Sequence, residues 1–212
     1  MKAVIFDCDG VLVDSETRLA AIELEMLADF GCKVTIEEFN ARFVGLTEQD
    51  YRFEIEREIG ALPSNWREPY RGRRERALRE ELQAVPGVKS VVESLAVPIA
   101  VASNSARTRV RDALELVDLL QYFNEKIVTS EDVPMGKPAP DVYIRAAEIL
   151  GVAPTCCVAI EDSPIGVRAA RRAGMTVFGY VNGLAAEAVL RAEGAKTFDS
   201  MADLPELLTR LA

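Results

Sequence analysis

The sequence contains no histidine among its 212 residues, and it has fewer basic than acidic side chains. Without imidazole, a Ser-His-Asp triad, a Cys-His pair and a histidine metal site are all excluded. Proton transfer must therefore use carboxylates, lysine, tyrosine or thiols. The 25 lysines and arginines against 34 aspartates and glutamates give a formal net charge of −9. That charge argues against general nucleic-acid binding, which needs a basic face to neutralise phosphates.

Cysteine is also scarce, and the cysteines show no pairing pattern. The four are Cys8, Cys32, Cys156 and Cys157, and none belongs to a Cys-x-x-Cys pair. The apolar run that follows Met1-Lys2, Ala3 to Phe6, is too short for a signal peptide or a membrane span. We therefore expect reduced, buried thiols, no membrane partner and a cytoplasmic location.

Strand-like and helical patterns alternate from residue 86 to the end of the chain, and one strand-like run stands at the start. The strand-like runs lie at 3–6, 97–102, 126–129, 156–160 and 175–179. The helical patterns lie at 106–117, after Pro140, after Pro164 and near 184–192. Such alternation predicts an α/β fold: a doubly wound (Rossmann-like) parallel sheet with helices on both faces.

A block of helical patterns separates the first strand from the rest of the sheet. Helices are expected at 16–30, 36–42, 47–60 and 66–83. Ser15 is the expected N-cap of the first, and Gly31 is expected to end it. Because the block interrupts the alternation after the first strand, we expect an inserted all-helical cap. The predicted division is a core domain of 1–15 and 83–212 with a cap of 16–82, joined by linkers near Val13–Ser15 and Ala84–Gly87.

Polar side chains follow the predicted strands at their carboxyl ends. The set comprises Asp7 and Asp9, Ser103 and Asn104, Glu161 and Asp162, with Lys137 in a loop that opens a helix. In a doubly wound parallel sheet, ligands bind outside the carboxyl ends of the strands. We therefore expect these side chains to meet at one rim of the sheet.

The residue types at this rim suit phosphoryl chemistry. Asp7, Asp9 and Asp162 supply oxygen ligands, which favour a hard cation such as Mg²⁺. A hard cation beside Lys137 and Ser103 describes a site that neutralises and hydrogen-bonds phosphoryl oxygens. A carboxylate can then act as the nucleophile and form an aspartyl phosphate. Each piece alone also has an ordinary explanation, such as a turn or a helix cap, and the prediction depends on their joint arrangement.

Four segments resemble the haloacid dehalogenase superfamily, in its phosphatase and phosphomutase branch with a helical cap after the first strand. They are FDCDGVLVDSE at 6–16, VASNS at 101–105, GKPAPD at 136–141 and AIEDSPIGVRAARRAGM at 159–175. The resemblance covers nearly the whole chain and is strongest to bacterial sugar-phosphate and phosphogluconate phosphatases and to β-phosphoglucomutases. It implies a Mg²⁺-dependent phosphohydrolase of a small phosphorylated metabolite, a sugar or sugar-acid phosphate.

The resemblance also implies roles for the acidic residues. Asp7 becomes the nucleophile that attacks phosphorus, and Asp9 becomes the general acid for the leaving alkoxide and then the base for water. Mg²⁺ takes the Asp7 carboxylate, the Asp9 backbone carbonyl and Asp162. Glu161 becomes an outer partner that holds metal-bound water.

The phosphoryl oxygens and the rest of the substrate have implied partners as well. Ser103 and Lys137 hold the phosphoryl oxygens, with help from the amide of Asn104. Gly45 and Glu48 of the predicted cap are expected to face the substrate. A substrate with a second phosphate would meet the like charge of Glu48, so we expect a neutral or polar sugar-like group there. Glu48 is equally explained as an acid in the first turn of a helix.

Two relatives within the superfamily are disfavoured by single residues. Dehalogenases have no acid two positions after the nucleophile, whereas this sequence has Asp9 there, and an alkoxide needs a proton that a halide does not. β-Phosphoglucomutases carry a histidine at the position of Leu19, and this sequence has none. A phosphomutase, which shares the other motifs, is the first alternative to a phosphohydrolase.

A receiver-like phospho-acceptor without enzymatic activity is the second alternative, since such modules share acidic pockets with a lysine. The Asp9 acid would have no purpose there. The expected partner is a small-molecule phosphate ester rather than nucleic acid, and oligomeric state is not predicted. Three arginines are candidates for contacting an acidic substrate tail: Arg18, Arg42 and Arg107.

Overall fold

A computed structural model describes residues 1–181 and 185–211 of the chain, without the side chains of residues 16–18. Within those residues the strands form one parallel sheet in the order β3-β2-β1-β4-β5-β6. The strands are β1 (Ala3–Phe6), β2 (Ile99–Ser103), β3 (Ile127–Thr129), β4 (Cys157–Glu161), β5 (Thr176–Tyr180) and β6 (Lys196–Phe198). The predicted doubly wound α/β fold is confirmed.

Helices surround the sheet and fill the long connection after β1. They are α1 (Ser15–Asp29), α2 (Ile36–Arg42), α3 (Glu48–Ile59), α4 (Glu68–Glu81), α5 (Val88–Ser94), α6 (Arg107–Leu116), α7 (Leu120–Phe123), α8 (Asp141–Ile149), α9 (Pro164–Arg172), α10 (Glu187–Ala192) and α11 (Leu204–Thr209). The start predicted for the helix near residue 184 lies outside the described residues. None of the helices in the described ranges has the length and apolar character that a transmembrane span needs.

The sheet is buried on both faces because successive residues of β1 enter two different hydrophobic cores. Val4 and Phe6 belong to one core, and Ala3 and Ile5 belong to the other, and all four are fully buried. This explains why the strand appears in the sequence as an unbroken apolar run rather than an alternating one.

The residues from Ser15 to Glu81, here called the four-helix segment, have a hydrophobic core of their own. Its buried members all lie between residues 20 and 70, and they include stacked or tilted aromatic rings at Phe43, Tyr51 and Trp66. Thr35 caps α2 in a capping box with Glu38, which explains the sharp start of that helix.

The first helix begins differently from the prediction. Asp14 occupies the N-cap position without a side-chain capping bond, and Ser15 is the first helical residue. The hydroxyl of Ser15 donates to the Asp9 carboxylate instead. The expected N-cap role of Ser15 is therefore wrong, because its only hydroxyl hydrogen bonds across the turn to a charged acceptor. Gly31 ends the helix as predicted, at φ 93°.

Candidate active site

The predicted rim residues meet where the strand order reverses around β1. Phe6 pairs with Val101 of β2 on one side and with Ile160 of β4 on the other. The carboxyl ends of these three strands are therefore neighbours. Ligands bind at such a reversal point in doubly wound sheets.

A cleft of about 300 Å³ opens there between the sheet and the four-helix segment. The sheet side contributes Asp7, Asp9, Ser103, Asn104, Ser105, Arg109, Lys137 and Asp162. The four-helix segment contributes Leu19, Glu23, Gly45, Glu48, Tyr51, Arg67 and Arg74, among others. The volume is at the small end of the range for small-molecule sites.

Lys137 lies at the floor of the cleft between two carboxylates. Its Nζ is 2.8 Å from Asp7 Oδ1 and 2.6 Å from Glu161 Oε1, and its side chain is 2% exposed. Burial lowers the pKa of Lys137, but the charges of Asp7 and Glu161 outweigh burial and raise it above its ordinary value. Burial, followed by the charge of Glu161, raises the pKa of Asp7 to about 8 although Lys137 opposes this. The positive charge of Lys137 therefore offsets only part of the negative charge of the two buried carboxylates.

Glu161 is fixed by hydrogen bonds to both of its oxygens. Besides Lys137, Oε1 accepts from the Tyr143 hydroxyl at 2.5 Å, and Oε2 accepts from the Ser163 hydroxyl at 3.2 Å. The backbone amide of Asp162 lies 3.2 Å from Oε2. Gly166 lacks a side chain where a Cβ would lie 1.8 Å from Glu161 Oε1, so helix α9 passes this carboxylate only with glycine at that position.

Three carboxylates form a cluster that suits a divalent cation. Ligand oxygens of Asp7, Glu161 and Asp162 all lie within 4.8 Å of one another, and all three residues are buried. An all-oxygen donor set of this kind fits a hard cation. Because both oxygens of Glu161 already accept hydrogen bonds, its predicted outer role fits the arrangement better than direct ligation.

The Asp9 carboxylate has its own set of partners. Oδ1 accepts from Ser15 and from Arg109 Nη2 at 3.1 Å, and Oδ2 accepts from the Ser105 hydroxyl at 2.7 Å. Burial raises the pKa of Asp9, but Arg109 and the two hydroxyl groups outweigh burial and leave it below its ordinary value. The contribution of the Asp9 backbone carbonyl to a metal stays a prediction.

Asn104 connects the lysine loop with the four-helix segment. Its Oδ1 accepts from the Lys137 amide at 2.7 Å, and its Nδ2 donates to the Lys137 carbonyl and, at 2.8 Å, to the Gly45 carbonyl. Gly45 has φ 83°, and a Cβ there would lie 3.1 Å from Ser163 Oγ. Asn104 and Gly45, two of the predicted substrate-binding residues, therefore lie at the contact between the sheet side of the cleft and the four-helix segment. The Ser103 hydroxyl, 3.0 Å from the Ser105 amide, lines the cleft.

Two of the three predicted arginines do not lie in the cleft, whereas Arg67, Arg74 and Arg109 do. Arg42 pairs with Glu54 and Glu58, and Arg107 pairs with Asp132. Neither arginine is among the residues that line the cleft. The side chain of Arg18 lies outside the described residues.

Several cleft residues were not predicted to have a role. Ser105 lies between β2 and α6 and Arg109 lies in the first turn of α6, and both follow the predicted Ser103-Asn104, so their position after a strand end was a usable signal. The others are Glu23, Tyr51, Arg67 and Arg74 in the four-helix segment. Glu48 itself pairs with Arg67, whose Nε lies 2.6 Å from Glu48 Oε1. The negative charge of Glu48, which was expected to repel a second phosphate, is therefore paired with the positive charge of Arg67.

Comparison with known proteins places this site in context. A family model described as haloacid dehalogenase-like hydrolase matches residues 1–174. The chain is 29% identical over 209 residues to the 6-phosphogluconate phosphatase of Escherichia coli K12, covering 98% of this chain and 94% of that protein. It is 32% identical over 190 residues to a phosphorylated carbohydrates phosphatase of Thermotoga maritima, covering 87% of each.

Among solved structures, a conserved haloacid dehalogenase-like protein from Agrobacterium tumefaciens has a similar fold. Its TM-score is 0.85 at 32% sequence identity, and the match covers 100% of this chain and 99% of that one.

Proposed function

Since the chain belongs to the haloacid dehalogenase-like hydrolases and is a phosphatase, we propose that it hydrolyses the phosphate monoester of a small sugar or sugar acid through phosphorylated Asp7. The observation that carries this proposal is the position of Asp7. Its carboxylate touches the buried Lys137 at the floor of the cleft, beside Ser103 and the carboxylate cluster.

In the first step a carboxylate oxygen of Asp7 attacks phosphorus while the bond from phosphorus to the sugar oxygen breaks. The sugar oxygen leaves with a proton supplied by Asp9. The Arg109 and serine contacts favour ionised Asp9, whereas a bound phosphoryl group brings negative charge that favours its protonated form. Lys137 and Ser103 stabilise the charge on the phosphoryl oxygens.

In the second step water attacks phosphorus and the bond to Asp7 breaks, which releases inorganic phosphate. Asp9 accepts the proton of that water, and its contacts with Arg109, Ser15 and Ser105 favour the ionised form that this requires. Cleavage of the acyl phosphate regenerates the Asp7 carboxylate.

We propose that Mg²⁺ would be held by the carboxylates of Asp7 and Asp162 and the backbone carbonyl of Asp9, with Glu161 as an outer partner for metal-bound water. A bound Mg²⁺ would neutralise phosphoryl charge during transfer. We also propose that residues 16–82 act as a cap over the core of 1–15 and 83–212. The hydrogen bond from Asn104 to Gly45 then holds the cap against the lysine loop and excludes water from the cleft.

One residue of the cleft wall, Leu19, favours hydrolysis over a phosphomutase reaction. Leu19 is 3% exposed and lines the cleft where the resembling mutases carry a histidine. With β-glucose 1-phosphate, free phosphate should therefore be released without an excess of glucose 6-phosphate. A larger yield of glucose 6-phosphate than of phosphate would instead establish the phosphomutase.

Replacing Asp9 by Asn is expected to affect poor leaving groups most. Loss of general acid catalysis should lower the rate of Asp7 phosphorylation by about 10²–10⁴-fold for a sugar phosphate, and far less for an aryl phosphate, which leaves without a proton. The first turnover, measured by rapid quench, checks this, because slow dephosphorylation affects both substrates equally. Equal first-turnover losses would contradict the acid role.

Removal of divalent cations is expected to abolish activity, and Mg²⁺ should restore it. Because the pKa of Asp7 is about 8 in the metal-free protein, a proton competes with the cation, and affinity for Mg²⁺ should rise from pH 6 to pH 8. A raised carboxyl pKa also stabilises the metal-free fold at low pH, and this contribution is lost progressively as the pH rises from 3.8 to about 8.

Thermal melting with EDTA and with Mg²⁺ at several pH values measures both effects. The stabilisation by Mg²⁺ should be larger at pH 8 than at pH 6. A pH-independent increase in melting temperature would contradict a metal site that includes Asp7.

A further inference from the structure

We propose that the part of the cleft formed by the four-helix segment binds a carboxylate of the substrate through Arg67, with Arg74 beside it. The substrate class is then the phosphate monoester of a small polyhydroxy carboxylic acid. This inference rests on the proposed function, because it requires the phosphoryl group of the same molecule to lie at Asp7.

A buried carboxylate holds the two arginines in place. Glu23 is 5% exposed, and both of its oxygens lie 3.1 Å from Arg67 Nη1. Arg74 pairs with the same carboxylate, and the Tyr51 hydroxyl donates to it at 2.8 Å. Four side chains from α1, α3 and α4 and the turn before α4 therefore fix one another in the cleft wall.

Aromatic rings fix the plane of the Arg67 guanidinium. Its central carbon lies 4.6 Å from the ring centre of Tyr51 and 4.3 Å from that of Trp66. Stacking of this kind leaves the edge of the guanidinium for hydrogen bonding, and a planar edge matches the two oxygens of a carboxylate. Lysine would offer neither the stacking nor the paired donors.

The contact between Arg67 and Glu48 favours a carboxylate as the ligand. Glu48 already places a carboxylate at the edge of Arg67, 2.6 Å from its Nε, but the Glu48 side chain is 64% exposed whereas Arg67 is 20% exposed. An ion pair with so exposed a partner contributes little, so a substrate carboxylate can replace Glu48 at the edge of Arg67.

The position of these arginines relative to Asp7 sets the form of the substrate. Arg67, Arg74, Asp7 and Lys137 line one continuous cleft of about 300 Å³. A molecule that carries phosphate at one end and carboxylate at the other can engage both charged groups at once. A second phosphate would bring up to two negative charges to a wall that already holds the carboxylates of Glu23 and Glu48.

The experiment compares two substrates that differ only at the end distant from phosphate. 6-Phosphogluconate has a carboxylate where glucitol 6-phosphate has a hydroxymethyl group. We expect kcat/KM to be about ten times higher or more for the acid, as a charge-assisted contact implies. Arg67→Gln should then lower kcat/KM for the acid by about 10–100-fold, mainly through KM, and lower it much less for the alcohol.

Two further variants keep the test decisive. Glu48→Gln should raise kcat/KM for the acid about twofold to fivefold by removing the competing carboxylate, a gain that misfolding does not produce. Arg42→Gln is the matched control, because Arg42 is an ion-paired arginine of the same segment that lies outside the cleft. This variant should leave kcat/KM unchanged for both substrates.

Each result separates this inference from the proposed function. Equal losses on both substrates in Arg67→Gln, no gain in Glu48→Gln, or a preference for the alcohol or a bisphosphate would overturn carboxylate binding. Activity on an aryl phosphate with neither hexose derivative accepted would also overturn it and leave the phosphatase mechanism intact. Absence of activity on every phosphate ester would instead refute the proposed function.

Discussion

Replacement of Asp7 by Asn should lower kcat by about 10⁴–10⁶-fold, because the amide cannot form the acyl phosphate and no neighbouring group can substitute for it. The loss should be the same for aryl and sugar phosphates, since the nucleophile is required whatever the leaving group. Phosphate release from an aryl phosphate and from 6-phosphogluconate measures it directly.

The Asn variant should remain folded. The change removes one of two buried carboxylates that share Lys137, so it lowers the local excess of negative charge rather than creating one. Thermal melting checks this, and Asp203→Asn, at an exposed aspartate outside the cleft, is the control for activity. Retained turnover in a folded Asp7→Asn protein would exclude Asp7 as the nucleophile.

Replacement of Lys137 by Met should impair both stability and catalysis. It leaves the carboxylates of Asp7 and Glu161 buried without their shared cation, and removal of one partner from a buried ion pair destabilises proteins by about 3–5 kcal/mol. The loss should be larger at pH 8 than at pH 5, because protonation of Asp7 relieves the repulsion at low pH. kcat should fall by at least about 10²-fold, the usual cost of losing one group that stabilises transition-state charge.

A double variant separates the two effects of Lys137. In Lys137→Met with Glu161→Gln, one buried charge is removed, so much of the lost stability should return while kcat stays low. Lys126→Met, at an exposed lysine, is the matched control and should change neither quantity. Full recovery of kcat in the double variant would show that Lys137 acts only on the fold. Denaturant unfolding at both pH values and phosphate release provide the measurements.

The positions of the strands were predictable because a parallel sheet buried on both faces requires unbroken apolar runs. The run predicted at 156–160 corresponds to β4 at Cys157–Glu161, and the one at 97–102 to β2 at Ile99–Ser103. The helical block also matches closely: the pattern at 36–42 is α2, Ile36–Arg42. The short β6 and α11 were not placed individually, because three and six residues carry too little periodicity.

Local hydrogen bonding was less predictable than element position. Ser15 has the residue type of an N-cap, yet its hydroxyl donates to Asp9 six residues earlier. Asn104 looked like a substrate or capping residue, yet its side chain connects the Lys137 loop with Gly45. A short polar side chain has several possible acceptors at a turn, and only the packed chain selects one.

The sequence by itself determined the fold class and which side chains meet at the floor of the cleft. Asp7, Ser103, Glu161 and Asp162 each end or directly follow a strand, and the carboxyl ends of parallel strands lie at the same edge of the sheet. Only the tertiary structure decided what faces them. Arg67, just before α4, and Glu23 of α1 are 44 positions apart, and no spacing rule relates them, because their contact depends on how the apolar faces of α1 and α4 pack. The absence of histidine pointed to carboxylate chemistry, whereas the charge of the opposite cleft wall became visible only in the folded chain.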